Sequence, residues 1–120
     1  MSKTVNVSDG ASYAPQSISK PVVKPGEFCF AVAYMDHGHI FGQTNGLLEA
    51  GGTLLAAYEP SAEKRADFVA RYGEMEFADE FSQLLDDPRI QLIASAAIPN
   101  RRSDIGLQVM AAGKDYFTDK

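Results

Sequence analysis

Residues 28–42 read FCFAVAYMDHGHIFG, an apolar run of eight residues followed by a turn that contains glycine. The run Phe28–Met35 is typical of a strand that is buried on both faces of a parallel sheet. The segment His39–Ala50 has apolar residues at helical spacing, and Gly51-Gly52 is expected to end the helix. A strand, a glycine turn and a helix in this order predict a nucleotide-binding unit, because backbone N–H groups at a helix N-terminus bind phosphate.

Strand and helix patterns alternate over the rest of the chain. They predict strands at 53–58, 75–78, 90–98 and 116–118, and helices at 62–72, between Asp79 and Asp87, and from Ser103 or Asp104 to Gly113. Ser61 is the expected N-cap of the helix 62–72. The expected apolar face of that helix consists of Ala62, Ala66, Val69 and Tyr72. Alternation with short connections implies an α/β fold, in which a parallel sheet has helices on both faces.

Glu59 follows the predicted second strand, 21 positions after Gly38. Dinucleotide folds place a carboxylate about 20 residues after the glycine turn, where it accepts hydrogen bonds from the adenosine ribose. A carboxylate there disfavours a 2′-phosphate, so NAD is expected rather than NADP. The alternative is an ordinary solvated acid before Pro60. Lys64 and Arg65 could reverse the preference for NAD, but we expect them to be solvated helix residues.

Composition limits the class of protein. The 120 residues include 11 basic and 16 acidic side chains, a net charge of −5 with no basic block, so nucleic acid is not an expected partner. The chain has no apolar stretch of membrane-spanning length and no apolar leader. Its single cysteine, Cys29, excludes a disulfide within the chain. We therefore expect a cytoplasmic protein that does not enter a membrane, with the Cys29 thiol buried in the first strand.

Residues 1–26 differ in composition from the rest. Ser, Pro, Lys and Gly dominate, and Pro15, Pro21 and Pro25 are spaced through them. Such a segment buries too little apolar surface to offset the entropy of ordering. We expect an extended or disordered arm before a single domain over residues 27–120. We also expect a homo-oligomer, in which the arm is free to pack on a partner subunit.

Four short motifs are spaced through the predicted domain. They are Gly38-His39-Ile40 with the later Leu47–Gly52, then Tyr58-Glu59-Pro60, then Ile98-Pro99-Asn100, and last Ala111–Lys114 leading into Thr118-Asp119-Lys120. In order and spacing they resemble the N-terminal Rossmann domain of the Gfo/Idh/MocA family (glucose-fructose oxidoreductase, inositol dehydrogenase and rhizopine catabolism proteins). The resemblance covers the chain from Phe28 to Lys120.

The resemblance implies an NAD(P)-dependent oxidoreductase that transfers a hydride to or from a sugar, cyclitol or related polyol. The cofactor-binding residues that it implies are His37, Gly38, His39, Ile40, Glu59, Pro99 and Asn100. It further implies that Lys120 is catalytic and assists proton transfer at the reacting hydroxyl. Family members carry a second domain that binds substrate and that this chain lacks. We therefore expect the 120-residue chain alone to be catalytically incomplete.

The chain also departs from the family. Asp36 and Phe41 stand in place of the first and third glycines of the fingerprint. Arg101 and Arg102 are unusual for the family and could recruit an anionic group, but we expect them to be solvated loop residues. The altered turn leaves open a second hypothesis, a non-catalytic Rossmann module that senses nucleotides or acts as a scaffold.

His37 and His39 flank Gly38 in the turn. A metal site would need a third ligand and supporting hydrogen bonds, and the sequence indicates neither. We interpret both histidines as polar residues near the phosphates of a cofactor, and we expect no metal.

Overall fold

The computed structural model describes residue 24 and residues 26–118. Most of the predicted arm over residues 1–26 lies outside the described residues, and so does Lys120. The described strands are β1 (Cys29–Ala33), β2 (Thr53–Tyr58), β3 (Glu76–Phe77), β4 (Leu92–Ser95) and β5 (Asp115–Thr118). The described helices are α1 (His39–Glu49), α2 (Ala62–Tyr72), α3 (Phe81–Asp86) and α4 (Pro99–Ala111).

These strands form one parallel sheet in the order β3-β2-β1-β4-β5. The chain extends from β1 toward β3 on one side and then returns to add β4 and β5 on the other side. Helices α1 and α2 pack on one face of the sheet, and helices α3 and α4 pack on the opposite face. The structure confirms the predicted α/β fold with a Rossmann-like strand order. Such sheets bind ligands where the order reverses, at the carboxyl ends of β1 and β4.

Strand β1 is the centre of the core. Phe30, Ala31, Val32 and Ala33 are all completely buried. Phe30 and Val32 pack toward α1 and α2, whereas Ala31 and Ala33 pack toward α3 and α4. Successive side chains of a strand point to opposite faces, so a strand covered on both sides reads as a continuous apolar run. The Cys29 thiol, expected to be buried, is only half-buried, and its Sγ lies 3.6 Å from the Gly26 carbonyl oxygen.

Helix α2 has the predicted bounds but a different buried face. The Ser61 side chain caps it as predicted, accepting a hydrogen bond from the Lys64 backbone N–H at 3.3 Å. Ala62 and Ala66 are exposed, and the side chain that anchors the helix is the fully buried Phe68. The predicted face was wrong at its two alanines because an aromatic ring buries far more apolar area than a methyl group.

Helix α4 begins four residues before the earlier of its two predicted starts. Pro99, predicted to stop the fourth strand, is the first residue of the helix, and Ile98 is its N-cap. Proline suits this position because its missing N–H would have no acceptor there, and its fixed φ is already helical. Pro99 and Asn100 therefore belong to the first turn of α4. A similar shift occurs at α3, where Glu80 rather than Asp79 is the N-cap.

Helix α4 packs closely on β5 through Gly106. A Cβ added at Gly106 would lie 2.6 Å from Cε2 of Tyr116, which is closer than real contacts allow. The Tyr116 hydroxyl donates a hydrogen bond to the Arg102 carbonyl at 2.9 Å and fixes the ring against the helix. Glycine at this position therefore permits the close approach of α4 to the sheet.

Lys114 precedes β5 and is buried. Its Nζ donates hydrogen bonds to the carbonyl oxygens of Asp87 and Ile90, each at 2.7 Å. Lys114 therefore ties the start of β5 to the segment that follows α3. At 13 residues α4 is the longest helix of the described chain, and no helix there has the length and apolar character needed to cross a membrane.

Candidate functional site

The turn after β1 is fixed by backbone hydrogen bonds to both neighbouring strands. The Tyr34 N–H donates to the Tyr58 carbonyl at 3.0 Å, at the end of β2. On the other side, the Ala96 N–H donates to the Tyr34 carbonyl and the His37 N–H donates to the Ala96 carbonyl, both at 3.0 Å. The turn therefore has a defined position at the carboxyl edge of the sheet, where β1 and β4 lie side by side.

Glu59 links this turn to the start of α2. The residue is only 3% exposed. Its Oε1 accepts a hydrogen bond from the Met35 N–H at 2.6 Å, and its Oε2 accepts one from the Ser61 N–H at 2.9 Å. The alternative of an ordinary solvated acid is therefore wrong. A carboxylate has about four acceptor sites, so these bonds leave some of its capacity for further donors.

The two cations near Glu59 are both engaged. Lys64 Nζ lies 2.8 Å from Oδ1 of Asp36 in an ion pair between α2 and the turn. The hydrogen bond to Asp36 raises the pKa of Lys64, so the ammonium stays charged. Arg65 Nη1 donates to the Glu59 carbonyl oxygen at 2.6 Å. Lys64 is solvated as expected, with 42% of its side chain exposed, but it also compensates the charge of Asp36 beside the turn. Arg65, expected to be solvated, is instead partly buried against the Glu59 carbonyl.

Gly38 is the N-cap of α1, with φ −62° and ψ −15°, a conformation open to any residue. A Cβ added to Gly38 would have no heavy atom within 4 Å. Neither backbone strain nor internal packing therefore requires glycine here. Among the described residues, no acceptor is found for the Gly38 N–H, which lies just before a helix N-terminus. An uncovered glycine with a free N–H at this place fits the close approach of a phosphate group.

The two residues that follow Gly38 have their backbone donors occupied. Ile40 is 1% exposed, its side chain lies in the core, and its N–H donates to the His37 carbonyl at 3.1 Å. The His39 N–H donates to Nδ1 of His37 at 3.2 Å, and the centroids of the two exposed imidazole rings lie 4.0 Å apart. Across residue 24 and residues 26–118, no group of three or more His, Cys, Asp or Glu side chains could hold a metal ion.

Two open clefts meet at Gly38. One has a volume of about 430 Å³ and is lined by Gly38, His39, Gly42, Gln43 and Phe117. The other has a volume of about 150 Å³ and is lined by Met35, His37, Gly38, Phe41, Lys64 and Asp67. Gly38 therefore lines both clefts. An extended ligand crossing the carboxyl edge of the sheet would pass over this glycine.

Tyr34 and Arg101 face each other at the same edge of the sheet, and sequence patterns did not indicate this pair. Tyr34 has φ +62° and is the only non-glycine residue with positive φ in the described part of the chain. Its ring contacts those of Tyr58 and Phe81, at centroid distances of 5.4 and 5.2 Å. The Arg101 Cζ lies 4.8 Å from the centroid of the Tyr34 ring. Burial raises the pKa of Tyr34, which keeps its hydroxyl neutral.

Comparison with known proteins identifies structural relatives, although no protein-family model and no curated protein matches the chain. A protein from Erwinia carotovora atroseptica SCRI1043, provisionally described as an oxidoreductase, is 36% identical over 77% of this chain and 28% of its own, with a TM-score of 0.74. A protein from Desulfitobacterium hafniense DCB-2, provisionally described as NADPH-dependent, is 15% identical over 82% of this chain and 28% of its own, with a TM-score of 0.69.

Levoglucosan dehydrogenase in complex with NADH is 19% identical over 78% of this chain and 27% of its own, with a TM-score of 0.60. The chain thus spans little more than a quarter of the length of each of these structures. At these similarities the common property is the fold. The chain has the Rossmann-like α/β fold of these structures.

Proposed function

We propose that the chain is the dinucleotide-binding domain of an NAD-dependent oxidoreductase of the Gfo/Idh/MocA type. The observation that carries the proposal is Gly38, whose uncovered α-carbon and free N–H lie at the N-terminus of α1 between two clefts. Nothing within the described protein requires glycine there, whereas a pyrophosphate approaching the backbone does. The activity of a complete enzyme is proposed by similarity to a longer protein, of which this chain covers 28%.

The proposal gives each predicted residue a place around the cofactor. Gly38 and the turn residues His37 and His39 would contact the pyrophosphate, and Ile40 would hold the first turn of α1 through its buried side chain. Glu59 would accept hydrogen bonds from the adenosine ribose with the capacity that Met35 and Ser61 leave. Pro99 and Asn100, in the first turn of α4, would line the opposite wall of the crevice. The bound nicotinamide would supply the hydride chemistry, and the protein would orient it.

We propose NAD as the preferred cofactor. The Glu59 carboxylate places negative charge at the end of β2, where a 2′-phosphate would bind. Lys64 and Arg65, which could otherwise attract that phosphate, are held by Asp36 and by the Glu59 carbonyl. These contacts commit part of the donor capacity of both cations, so the affinity for NADPH should be lower than that for NADH.

The proposed substrate is a sugar, cyclitol or related polyol, bound with the help of a second domain in the complete protein. Removal of hydride from a carbinol requires the hydroxyl proton to leave, and a nearby ammonium stabilises the negative charge that develops on oxygen. Lys120 is proposed for this role. The homo-oligomer also stays a prediction, which sedimentation measurements on the purified chain would test.

The experiment is calorimetric titration of the chain with NADH and NADPH, with two matched variants. Gly38→Ala adds a methyl group to the uncovered face and should weaken NADH binding by about tenfold or more, equivalent to about 1.4 kcal/mol. Gly46→Ala adds the same methyl group to the same helix, again with no atom within 4 Å, and should leave affinity unchanged. No binding of NADH to the wild-type chain would favour the alternative, a non-catalytic scaffold module, which the substitution of Asp36 for a fingerprint glycine also permits.

A further inference from the structure

Arg101 is an exposed residue whose guanidinium contacts an aromatic ring. Its Cζ lies 4.8 Å from the centroid of the Tyr34 ring, within the range of a cation–π contact. The Tyr34 ring is itself held between Tyr58 and Phe81. A planar group resting on a fixed aromatic ring is pre-oriented. Arg101 is an exposed residue, as binding of a second flat group on the guanidinium face turned away from Tyr34 would require.

The backbone at Tyr34 supports a positioning role for its ring. A tyrosine at φ +62° adopts a conformation that costs about 1 kcal/mol or more in an ordinary residue. Hydrogen bonds from Tyr34 N–H to Tyr58 and from Ala96 to the Tyr34 carbonyl hold it there. The conformation turns the chain directly at the end of β1 and leaves the ring on the α3 and α4 face of the sheet.

The location of the pair decides which part of a dinucleotide it meets. In a doubly wound sheet the acid after β2 marks the adenosine half of the site. Tyr34 contacts Tyr58, the last residue of β2, which directly precedes Glu59. Ile40, in the first turn of α1, belongs to the apolar cluster on the opposite face of the sheet from Tyr34. The Arg101 backbone lies in α4, which follows β4 on the other side of β1 from β2, but its guanidinium reaches the Tyr34 ring, which contacts the end of β2. The guanidinium is therefore placed beside the adenosine half, on the opposite face of the sheet from α1 and the proposed pyrophosphate site at its N-terminus.

We propose that the Arg101 guanidinium, stacked on Tyr34, is the platform on which the adenine ring of the dinucleotide stacks. This inference rests on the proposed dinucleotide-binding function. Arginine planes stack on nucleobases as well as on aromatic side chains. Tyr34 and adenine would then lie on opposite faces of one guanidinium. Arg101 would contribute affinity for the adenosine half without contacting the nicotinamide.

The test is calorimetric titration of the 120-residue chain with NADH, ADP-ribose and reduced nicotinamide mononucleotide. Arg101→Ala should lower the affinity for NADH and for ADP-ribose by about tenfold, the usual scale for loss of one base stack, and leave the affinity for the mononucleotide unchanged. Arg101→Lys keeps the charge but removes the plane, so it should lose as much affinity as Arg101→Ala. Arg71→Ala is the matched control, because Arg71 also stacks on an aromatic ring, with its Cζ 4.2 Å from the centroid of Phe41. The Arg71→Ala variant should bind all three ligands with wild-type affinity.

The outcomes separate this inference from the proposed function. If the wild-type chain binds no NADH, both are overturned. If it binds NADH and Arg101→Ala binds equally well, only the adenine platform is wrong. If Arg101→Lys retains wild-type affinity while Arg101→Ala loses it, Arg101 acts as a charge on a phosphate, and stacking is refuted. Thermal unfolding of each variant, followed by circular dichroism, establishes that the differences arise in a folded protein.

Discussion

Replacing Glu59 with alanine should destabilise the protein as well as weaken cofactor binding. The carboxylate accepts hydrogen bonds from the Met35 N–H at 2.6 Å and from the Ser61 N–H at 2.9 Å, in a side chain that is almost completely buried. A hydrogen bond to a charged group contributes about 1.5–3 kcal/mol, so two such bonds amount to roughly 3–6 kcal/mol. Water entering the space left by the side chain would recover part of this, and we expect a loss of about 3 kcal/mol.

The assay is urea unfolding of the 120-residue chain followed by circular dichroism. Glu63→Ala is the matched control, because Glu63 is an exposed glutamate in the first turn of α2. Glu63→Ala should lower the free energy of unfolding by about 0.3–1 kcal/mol, because the glutamate interacts favourably with the helix dipole. Glu59→Gln, which keeps one acceptor oxygen, should lie between Glu59→Ala and the wild type. The reasoning is refuted if Glu59→Ala costs no more than Glu63→Ala.

The same variant tests the cofactor assignment. Under conditions where Glu59→Ala is folded, its affinity for NADH should fall by about one to two decades, and the difference between NADH and NADPH should narrow. Unchanged NADH affinity in a destabilised variant would make Glu59 a purely structural link. A wild-type chain that binds NADPH more tightly than NADH would show that the interpretation of Glu59 is wrong, with Arg65 the first residue to test.

Three further predictions concern stability and turnover. Gly106→Ala places a methyl group 2.6 Å from the tyrosine ring of β5 and should lower the free energy of unfolding by about 1–2 kcal/mol, because overpacking outweighs the gain in helix propensity. Gly46→Ala should raise the free energy of unfolding by about 0.5–1 kcal/mol, and urea unfolding that shows changes of the same sign in both variants would contradict this. The hydrogen bond from Arg89 lowers the pKa of Asp87 from 3.8 to about 2, so the stability that Asp87 contributes is present above about pH 4 and is lost as the pH falls toward 2. Unfolding free energies of the wild type and Asp87→Asn should therefore converge below that range, and a constant difference down to pH 2 would refute the assignment. In a protein that also carries the substrate domain, Lys120→Ala should lower turnover by about a hundredfold with little change in NADH affinity, and unchanged turnover would remove Lys120 from the mechanism.

The elements of the fold could be predicted because their signals are local. The apolar run of β1 indicates burial on both faces, and Ser61 caps α2. Gly113, whose φ is +80°, lies just after the end of α4, where a glycine is a common stop signal. The start of α4 was missed because proline ends a strand and begins a helix with equal ease. The buried face of α2 was missed because an alanine at helical spacing carries little information about burial.

The candidate site could be predicted only in part, because its geometry depends on contacts between distant residues. The position of Glu59 after β2 follows from its distance from Gly38, but its burial depends on the Met35 and Ser61 backbones. Tyr34 was interpreted as one residue of an apolar strand, and nothing in the sequence places its ring beside Arg101. Such a contact requires the register of β1 and β4 and the start of α4, and only the folded chain supplies all of these.

The loss of two fingerprint glycines does not by itself argue against a dinucleotide site. The first glycine normally permits the tight turn after β1. In this chain a side chain from α2 and one directly after β2 hold the turn: Lys64 pairs with Asp36, and Glu59 accepts a hydrogen bond from the Met35 N–H. The second glycine permits close approach of the pyrophosphate, and no side chain can replace that property. Of the three fingerprint positions, Gly38 is the one occupied by glycine, and it is the position at which a side chain would stand between the backbone and a pyrophosphate.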